Sequence, residues 1–265
     1  MHHLVEIPLH AATSPTDREL ISDRLWADGA VGVEEQATTI IGAFLDAGVA
    51  GAVAASLDGR VREVPDHTGL DAWRAHATSI AAGPFTIRPP WVEPADGDEI
   101  VIDPGHTFGS GSHPSTRLAA ALLAARVRPG MHVVDLGAGS GVLSIIAARL
   151  GARVTAIDID RSAETAIRTN AEANGVADRI TTVIADIEAS PTAADLSVLN
   201  VTIDIHEHIA AAMPRATGPL IVAGILRGEQ EARCATAHQR HIVDRSFDGE
   251  WAALVLDHGA GTTRS

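Results

Sequence analysis

The chain has 265 residues with 20 Lys and Arg against 34 Asp and Glu, a formal net charge of −14. Its hydrophobic fraction of 46% is enough for a folded core and argues against a disordered chain. The acidic balance argues against broad binding to nucleic-acid phosphates and is compatible with a basic protein partner. The single cysteine, Cys234, excludes an internal disulfide and a multi-cysteine zinc site, and we expect a small buried side chain there.

Neither a targeting segment nor a membrane span is indicated by the sequence. The first ten residues, MHHLVEIPLH, lack the basic and apolar regions of a signal peptide. Because the chain also lacks a run of about 20 apolar residues, we expect a cytoplasmic protein without a membrane partner.

Residues 1–64 carry the pattern of a small α+β domain. Predicted strands cover residues 4–9, 30–35, 38–45 and 60–64, and predicted helices cover 17–28 and 46–57. The resulting order, βαββαβ, is typical of a ferredoxin-like arrangement. Residues 65–98 contain four prolines between 84 and 94 and are predicted to form a connector, with a short helix within 70–80 and one extended piece at PFTIRPPW.

Residues 99–265 predict an α/β domain organised around MHVVDLGAGSG at 131–141. A short apolar strand leads into a loop with Gly137, Gly139 and Gly141, and an apolar helix follows. Val142 stands where a dinucleotide fingerprint needs its last glycine, and no Gly-Lys-Ser/Thr follows. The spacing suits the S-adenosylmethionine (AdoMet) loop of class I methyltransferases. An ordinary tight turn is the alternative.

Acidic residues follow the next two predicted strands, 153–157 and 180–185. Asp158 stands 21 residues after Gly137, where an acid can accept hydrogen bonds from two ribose hydroxyls. The alternative role of Asp158 is to cap the next helix, for which Asp160 is better placed. Asp186 is a candidate for the adenine amino group, against a plain turn.

Asn200 lies near the carboxyl end of a predicted strand at 194–201. Burying a polar side chain in a strand costs free energy, which suggests that Asn200 has a functional role. The alternative is that it caps the next helix, predicted at 204–213. His206 and His208 in that helix point to different faces, so we expect a solvated helix and no zinc pair. The elements that remain are a strand at 219–226, a helix at 229–238 and a hairpin of strands 242–247 and 251–257.

The segment 104–116, PGHTFGSGSHPST, is rich in glycine and hydroxyl residues. Because ordering such a loop costs much entropy, we expect a lid over a site rather than a spacer. Thr116 is predicted to begin the following helix. His113 in this loop is expected to stabilise the loop, with a proton acceptor as the alternative.

With these residues identified, the chain resembles the PrmA family, the methyltransferases of ribosomal protein L11. The resemblance rests on DPGHTFGSGSHPST, VVDLGAGSGVLSI, AIDID, Asn200 and the tail GIL…GEWAALVL, in order and spacing. The match is close from about residue 90 to 258. Residues 71–91 also look like the family's interdomain region, whereas residues 1–64 fit only by pattern and length.

The resemblance implies a class I methyltransferase fold, a Rossmann-like mixed sheet whose last strand is antiparallel. It implies that Thr116, Gly137, Asp158 and Asn200 contact AdoMet, and the loop's Gly139 belongs to the same cofactor site. It also implies that the N-terminal domain docks the ribosomal protein and that methyl groups go to lysine and N-terminal amines. The family usually has Asn-Ile/Leu-Leu/Tyr-Ala at 200–203, from which Val-Thr-Ile at 201–203 departs.

For the chemistry, we expect amine methylation without a strong dedicated base, with Asn200 as the catalytic residue that orients the amine or the AdoMet tail. Another acceptor, in a different protein or a small molecule, is one alternative. Base methylation of nucleic acid is less favoured because residues 201–203 hold no aromatic platform. A non-catalytic AdoMet-binding module associated with the ribosome is the other alternative. We predict no metal site.

Overall fold

The computed structural model describes residues 2–10, 13–30, 32–36, 38–64, 78–94, 97–103, 111–187, 193–211 and 218–258. The helix expected within 70–80 and residues 104–110 of the expected lid lie outside this part of the chain. The molecule divides into two compact units, Met1–Ala77 and Thr78–Ser265. The division falls inside the segment 65–98 that was expected to be a connector.

The first unit is a four-stranded antiparallel sheet with two helices, as the βαββαβ pattern predicts. Its elements are β1 (His2–Pro8), α1 (Pro15–Ala27), β2 (Gly32–Glu35), β3 (Thr39–Phe44), α2 (Ala47–Ser56) and β4 (Arg60–Val64), with strand order β2-β3-β1-β4. Side chains of Val5, Ile40 and Phe44 on the sheet and Leu25 and Val53 on the helices form one buried core. Alternate residues along these strands therefore point toward the two helices.

The second unit opens with a small sheet, of which the extended piece at PFTIRPPW was predicted but the first strand and the pairing of the strands were not. Its strands are β5 (Ile80–Ala82), β6 (Phe85–Arg88) and β7 (Glu99–Val101), in that order. Phe85 and Ile87 are buried in the same apolar core as the large sheet that follows. Phe85 and Ile87 belong to the extended piece that was expected within the connector, and their burial makes that piece part of the core of the second unit.

The large sheet has seven strands in the order β10-β9-β8-β11-β12-β14-β13. Its strands are β8 (His132–Leu136), β9 (Arg153–Asp158), β10 (Ile180–Ile184), β11 (Leu196–Asn200), β12 (Leu220–Leu226), β13 (His241–Asp248) and β14 (Trp251–Asp257). The first five strands of that order pair in parallel, and β14 is antiparallel to both neighbours. The predicted Rossmann-like mixed sheet is confirmed.

Among the described residues of the second unit, five helices cover this sheet. They are α3 (Pro114–Arg126), α4 (Val142–Arg149), α5 (Ser162–Ala173), α6 (Ile203–Ile209) and α7 (Glu229–Ala237), and a 3-10 turn spans Ala177–Arg179. Both faces of the central strands β8, β11, β12 and β14 are buried, and these strands are nearly continuous apolar runs. Between β8 and β11 the strand order reverses, and such a point is where open α/β sheets bind ligands. Within the described residues, none of the helices is both long and apolar enough to cross a membrane.

Helix α6 differs from its prediction. The sequence favoured a solvated helix, but His206 is 0% exposed, whereas His208 is exposed. His206 is buried because it lies against β12, with its Nε2 atom 3.0 Å from the Ala223 carbonyl oxygen. Cys234 is a buried free cysteine, as predicted.

Candidate active site

The glycine loop between β8 and α4 is fixed to the neighbouring strand. The amides of Gly137 and Ala138 both donate to the carbonyl oxygen of Ile157, over 2.8 and 3.0 Å. Gly137, Gly139 and Gly141 have φ angles of +69°, +53° and +82°, a region in which residues with a Cβ are strained. Glycine is required at these positions because the backbone turns there, at the carboxyl edge of the sheet.

Asp158 is held against this loop by both of its carboxylate oxygens. The Gly139 amide donates to Oδ2 and the Asp160 amide donates to Oδ1, each over 2.8 Å. Asp160 in turn accepts from the amide of Ser162, the first residue of α5, over 2.8 Å. Asp160 therefore takes the helix-terminal bond, and the carboxylate of Asp158 stays beside the glycine loop.

Asp135 lies in β8 just before the loop and is 1% exposed. The Ser144 hydroxyl donates to its Oδ2 atom over 2.7 Å. The pKa of Asp135 is raised to about 6, chiefly by burial; the hydrogen bonds from Ser144 oppose this shift, and the charge of Asp158 contributes to it. A carboxyl group with a perturbed pKa thus sits next to the predicted cofactor residues.

Asn200 and Thr116 are in direct contact although 84 residues separate them. The Asn200 amide Nδ2 donates to the hydroxyl Oγ1 of Thr116 over 3.2 Å. Asn200 ends β11, and Thr116 is buried in the first turn of α3. Helix α6 has Thr202 as its N-cap, so Asn200 is not the cap residue that the alternative required.

His113 forms the N-cap of α3, which begins at Pro114 rather than at Thr116. Its Nδ1 atom accepts from the Ser115 amide over 3.2 Å and lies 2.7 Å from the Ser115 hydroxyl. Its ring meets that of Trp251 edge-on at 4.5 Å. Burial, with the nearby Arg117 cation, lowers the pKa of His113 to about 4, so the ring is neutral at neutral pH.

Sequence reasoning missed a buried amide that ties the root of the 104–116 segment to the glycine loop. Asn170 of α5 donates through Nδ2 to the carbonyl oxygens of Asp103 and Ser140, both over 2.9 Å. Its Oδ1 atom accepts from the Asp103 amide over 2.9 Å. The available signal was a polar residue three positions after the buried Ile167, on the inner face of an amphipathic helix.

Two further residues at this edge were also missed. Ile159, directly after Asp158, is 76% exposed, which is unusual for a large apolar side chain. Gly224 has a φ of +83°, and a Cβ there would lie 2.3 Å from the carbonyl oxygen of Val201. Strand β12 therefore approaches the Asn200–Val201 backbone as closely as only glycine allows. Asp186 follows β10 and is exposed.

Comparison with known proteins identifies the family of this chain. The family model described as "Ribosomal protein L11 methyltransferase (PrmA)" matches residues 27–258. A ribosomal protein L11 methyltransferase of Pelotomaculum thermopropionicum is 39% identical over 208 residues, covering 73% of this chain and 67% of that protein. One from Thermus thermophilus is 36% identical over 213 residues, covering 75% and 80%.

A solved structure agrees with these relatives. The crystal structure of ribosomal protein L11 methylase from Lactobacillus delbrueckii subsp. bulgaricus superposes with a TM-score of 0.59 at 29% identity. The superposition covers 68% of this chain and 98% of that one. The resemblance inferred from the motifs is confirmed: the chain belongs to the PrmA family of ribosomal protein L11 methyltransferases.

Proposed function

We propose that this methyltransferase uses AdoMet to methylate amines of ribosomal protein L11. The observation that carries the proposal is the convergence of two contacts at the carboxyl edge of the large sheet. Asp158 meets the glycine loop at Gly139, and Asn200 meets Thr116. These contacts lie in a chain that the PrmA family model matches over residues 27–258.

The residues at this edge fit AdoMet. Asp158 keeps acceptor capacity on both oxygens for ribose hydroxyls, since a carboxylate offers about four lone-pair sites. The exposed side chain of Ile159 would cover the face of the adenine. Gly137, whose missing Cβ would meet only the Val201 side chain, at 3.5 Å, lets the cofactor approach the backbone. Thr116 and Asn200 would hold the aminocarboxypropyl tail.

When bound, AdoMet supplies an activated methyl group, so the chain's own part is to orient and desolvate the amine. Asn200 is the residue we assign to orienting that amine. A lysine amine has an ordinary pKa near 10.4 and must lose its proton before it attacks. A desolvated site favours that loss, and we assign no dedicated base. His113 is unsuited to this role because its Nδ1 atom accepts the bond that caps α3.

The first unit, residues 1–77, is assigned to docking the protein substrate. The chain's net charge of −14 suits a basic partner such as a ribosomal protein. The site-forming residues all lie in the second unit, which leaves the first unit without a role in cofactor binding. We propose the cytoplasm as the location of the reaction, since that is where a ribosomal protein substrate would be met.

The proposal is tested by transfer of radiolabelled methyl groups from AdoMet to purified ribosomal protein L11, followed by mass spectrometry of the product. The wild-type chain should label L11 on lysine or N-terminal amines. Asp158→Ala should abolish labelling at low AdoMet concentration. The matched control Asp178→Ala removes an exposed carboxylate after α5 and should label normally.

Three results would contradict parts of the proposal. Labelling of another protein or of small molecules instead of L11 would replace the substrate. AdoMet binding by calorimetry without any transfer would indicate a non-catalytic module. Label on carboxylate or hydroxyl oxygens would refute N-methylation.

A further inference from the structure

A buried cluster of three potential metal ligands lies outside the residues assigned to AdoMet and the amine. It consists of His206 on α6, Cys234 on α7 and His238 directly after α7. One ligand atom from each, the two imidazole nitrogens and the Sγ atom, all lie within 4.8 Å of one another. His206 and Cys234 are fully buried, and the two imidazole rings meet edge-on at 5.3 Å.

The hydrogen bonds of His206 prepare one of its nitrogens for a metal. Nε2 lies 3.0 Å from the Ala223 carbonyl oxygen, which only accepts, so Nε2 carries the proton. Nδ1 therefore keeps its lone pair, which points to Nε2 of His238 at 3.1 Å. A metal-bound histidine usually donates its other ring N–H to a carbonyl or carboxylate in this way.

The separation of these two nitrogens is close to that of two ligands on one ion. Zinc–nitrogen bonds in a tetrahedral site place the nitrogens about 3.4 Å apart, against 3.1 Å here. Across the same site a nitrogen and a sulfur are about 3.6 Å apart. The 4.8 Å span of the cluster thus needs only a small adjustment of side chains to enclose an ion.

We propose that His206, Cys234 and His238 bind a zinc ion. Zinc is the divalent ion whose preferred tetrahedral site combines thiolate and imidazole ligands. On binding, the thiol proton of Cys234 leaves to solvent as the Zn–S bond forms. The ring proton of His238 moves from its Nε2 atom to its own Nδ1 atom, so that Nε2 of His238 becomes a ligand. The described residues supply three ligands, and water takes the fourth position.

The role of the ion is structural. Helices α6 and α7 are already joined by a two-pronged ion pair, in which Arg233 donates to both oxygens of Glu207 over 2.8 Å. A zinc ion would add a second link between these helices and, through His206, to β12 at Ala223. Because α6 begins at Ile203, directly after the Asn200–Thr202 segment, the ion would fix the segment that we assign to the amine.

Cobalt substitution gives a sharp test because Cys234 is the chain's single cysteine. Metal-free full-length protein, prepared with a chelator, is titrated with Co²⁺. We expect one equivalent to bind with a thiolate-to-cobalt charge-transfer band and the visible bands of a tetrahedral site, both lost when Zn²⁺ is added. Binding without a charge-transfer band, or no binding, would overturn the proposal.

Variants then assign the nitrogen ligands. His238→Gln should weaken Co²⁺ binding by roughly a hundredfold or more, a loss at least as large as that for second-shell residues. Cys234→Ser should lose the charge-transfer band. His208→Gln, which changes the exposed histidine of the same helix, is the matched control and should behave as wild type. Zn²⁺ should raise the Tm of wild type and His208→Gln only. A His238→Gln protein with an unchanged cobalt spectrum and affinity would refute the assignment.

Discussion

The buried carboxyl of Asp135 should make the fold less stable as the pH rises. Its pKa is raised from 3.8 to about 6, chiefly by burial. An acid whose pKa is higher in the folded than in the unfolded state takes up a proton on folding. Its favourable contribution is thus complete below pH 3.8, falls as the pH rises through about 6, and is absent above it. At 1.36 kcal/mol per pH unit, the loss amounts to about 3 kcal/mol.

Asp135→Asn isolates this effect. An asparagine resembles the protonated acid, and its Oδ1 atom can still accept from the Ser144 hydroxyl, which now donates to Asp135 over 2.7 Å. The variant should therefore be more stable than wild type at neutral pH. The difference between the two free energies of unfolding should grow by about 3 kcal/mol between about pH 4 and about pH 7.

The measurement is urea unfolding of both proteins at several pH values, followed by tryptophan fluorescence, to which the buried Trp251 of the second unit contributes. Asp178→Asn serves as the control because it removes a carboxylate that is exposed. Parallel stability curves for wild type and Asp135→Asn across this pH range would refute the reasoning. They would mean that Asp135 keeps its charge in the folded protein without cost.

Four further outcomes are expected. Asp158→Ala should weaken AdoMet binding by about 1.5–3 kcal/mol, measured by calorimetry; equal affinity in a folded variant would remove Asp158 from the site. Gly224→Ala should lower the Tm, since its Cβ would lie 2.3 Å from the Val201 oxygen, and an unchanged Tm would contradict this. Amides within 104–116 should exchange more slowly with AdoMet, and equal protection would indicate a spacer. A fragment of residues 78–265 should bind AdoMet but methylate intact L11 poorly; transfer as fast as for the full chain would refute docking by the first unit.

The sequence was most informative where structure is set locally. The strand before Gly137 and the acid at Asp158 could be placed because apolar runs, glycines and strand lengths define a strand–loop–helix unit over few residues. The same holds for the βαββαβ pattern of the first unit. Each of these features is set by the order of apolar, polar and glycine residues along the chain, which the sequence displays directly.

Features that depend on distant partners were missed. The burial of His206 follows from β12 and α7, which are 17 and more residues away. The spacing of His206 and His208 excludes only a metal site whose two histidine ligands both come from this helix. It could not show that Cys234 and His238 approach from a second helix.

Strand β5 and its pairing with β6 were missed for a different reason. Strand β5 has only three residues before a glycine-containing turn, so two-residue alternation has no length in which to appear. A fragment beginning at residue 99, where the sequence predicts the start of the α/β domain, would lack Phe85 and Ile87. Because both are buried in the core of the second unit, the fragment must begin at residue 78.

The two buried amides connect the fold to the proposed reaction. Asn170 fixes Asp103 at the start of the 104–116 segment, and Asn200 contacts Thr116 at its end. The two described residues at the borders of this segment, Asp103 and Thr116, are therefore both held at the carboxyl edge of the large sheet. Asn200 would thus serve twice, holding the end of this segment and orienting the amine.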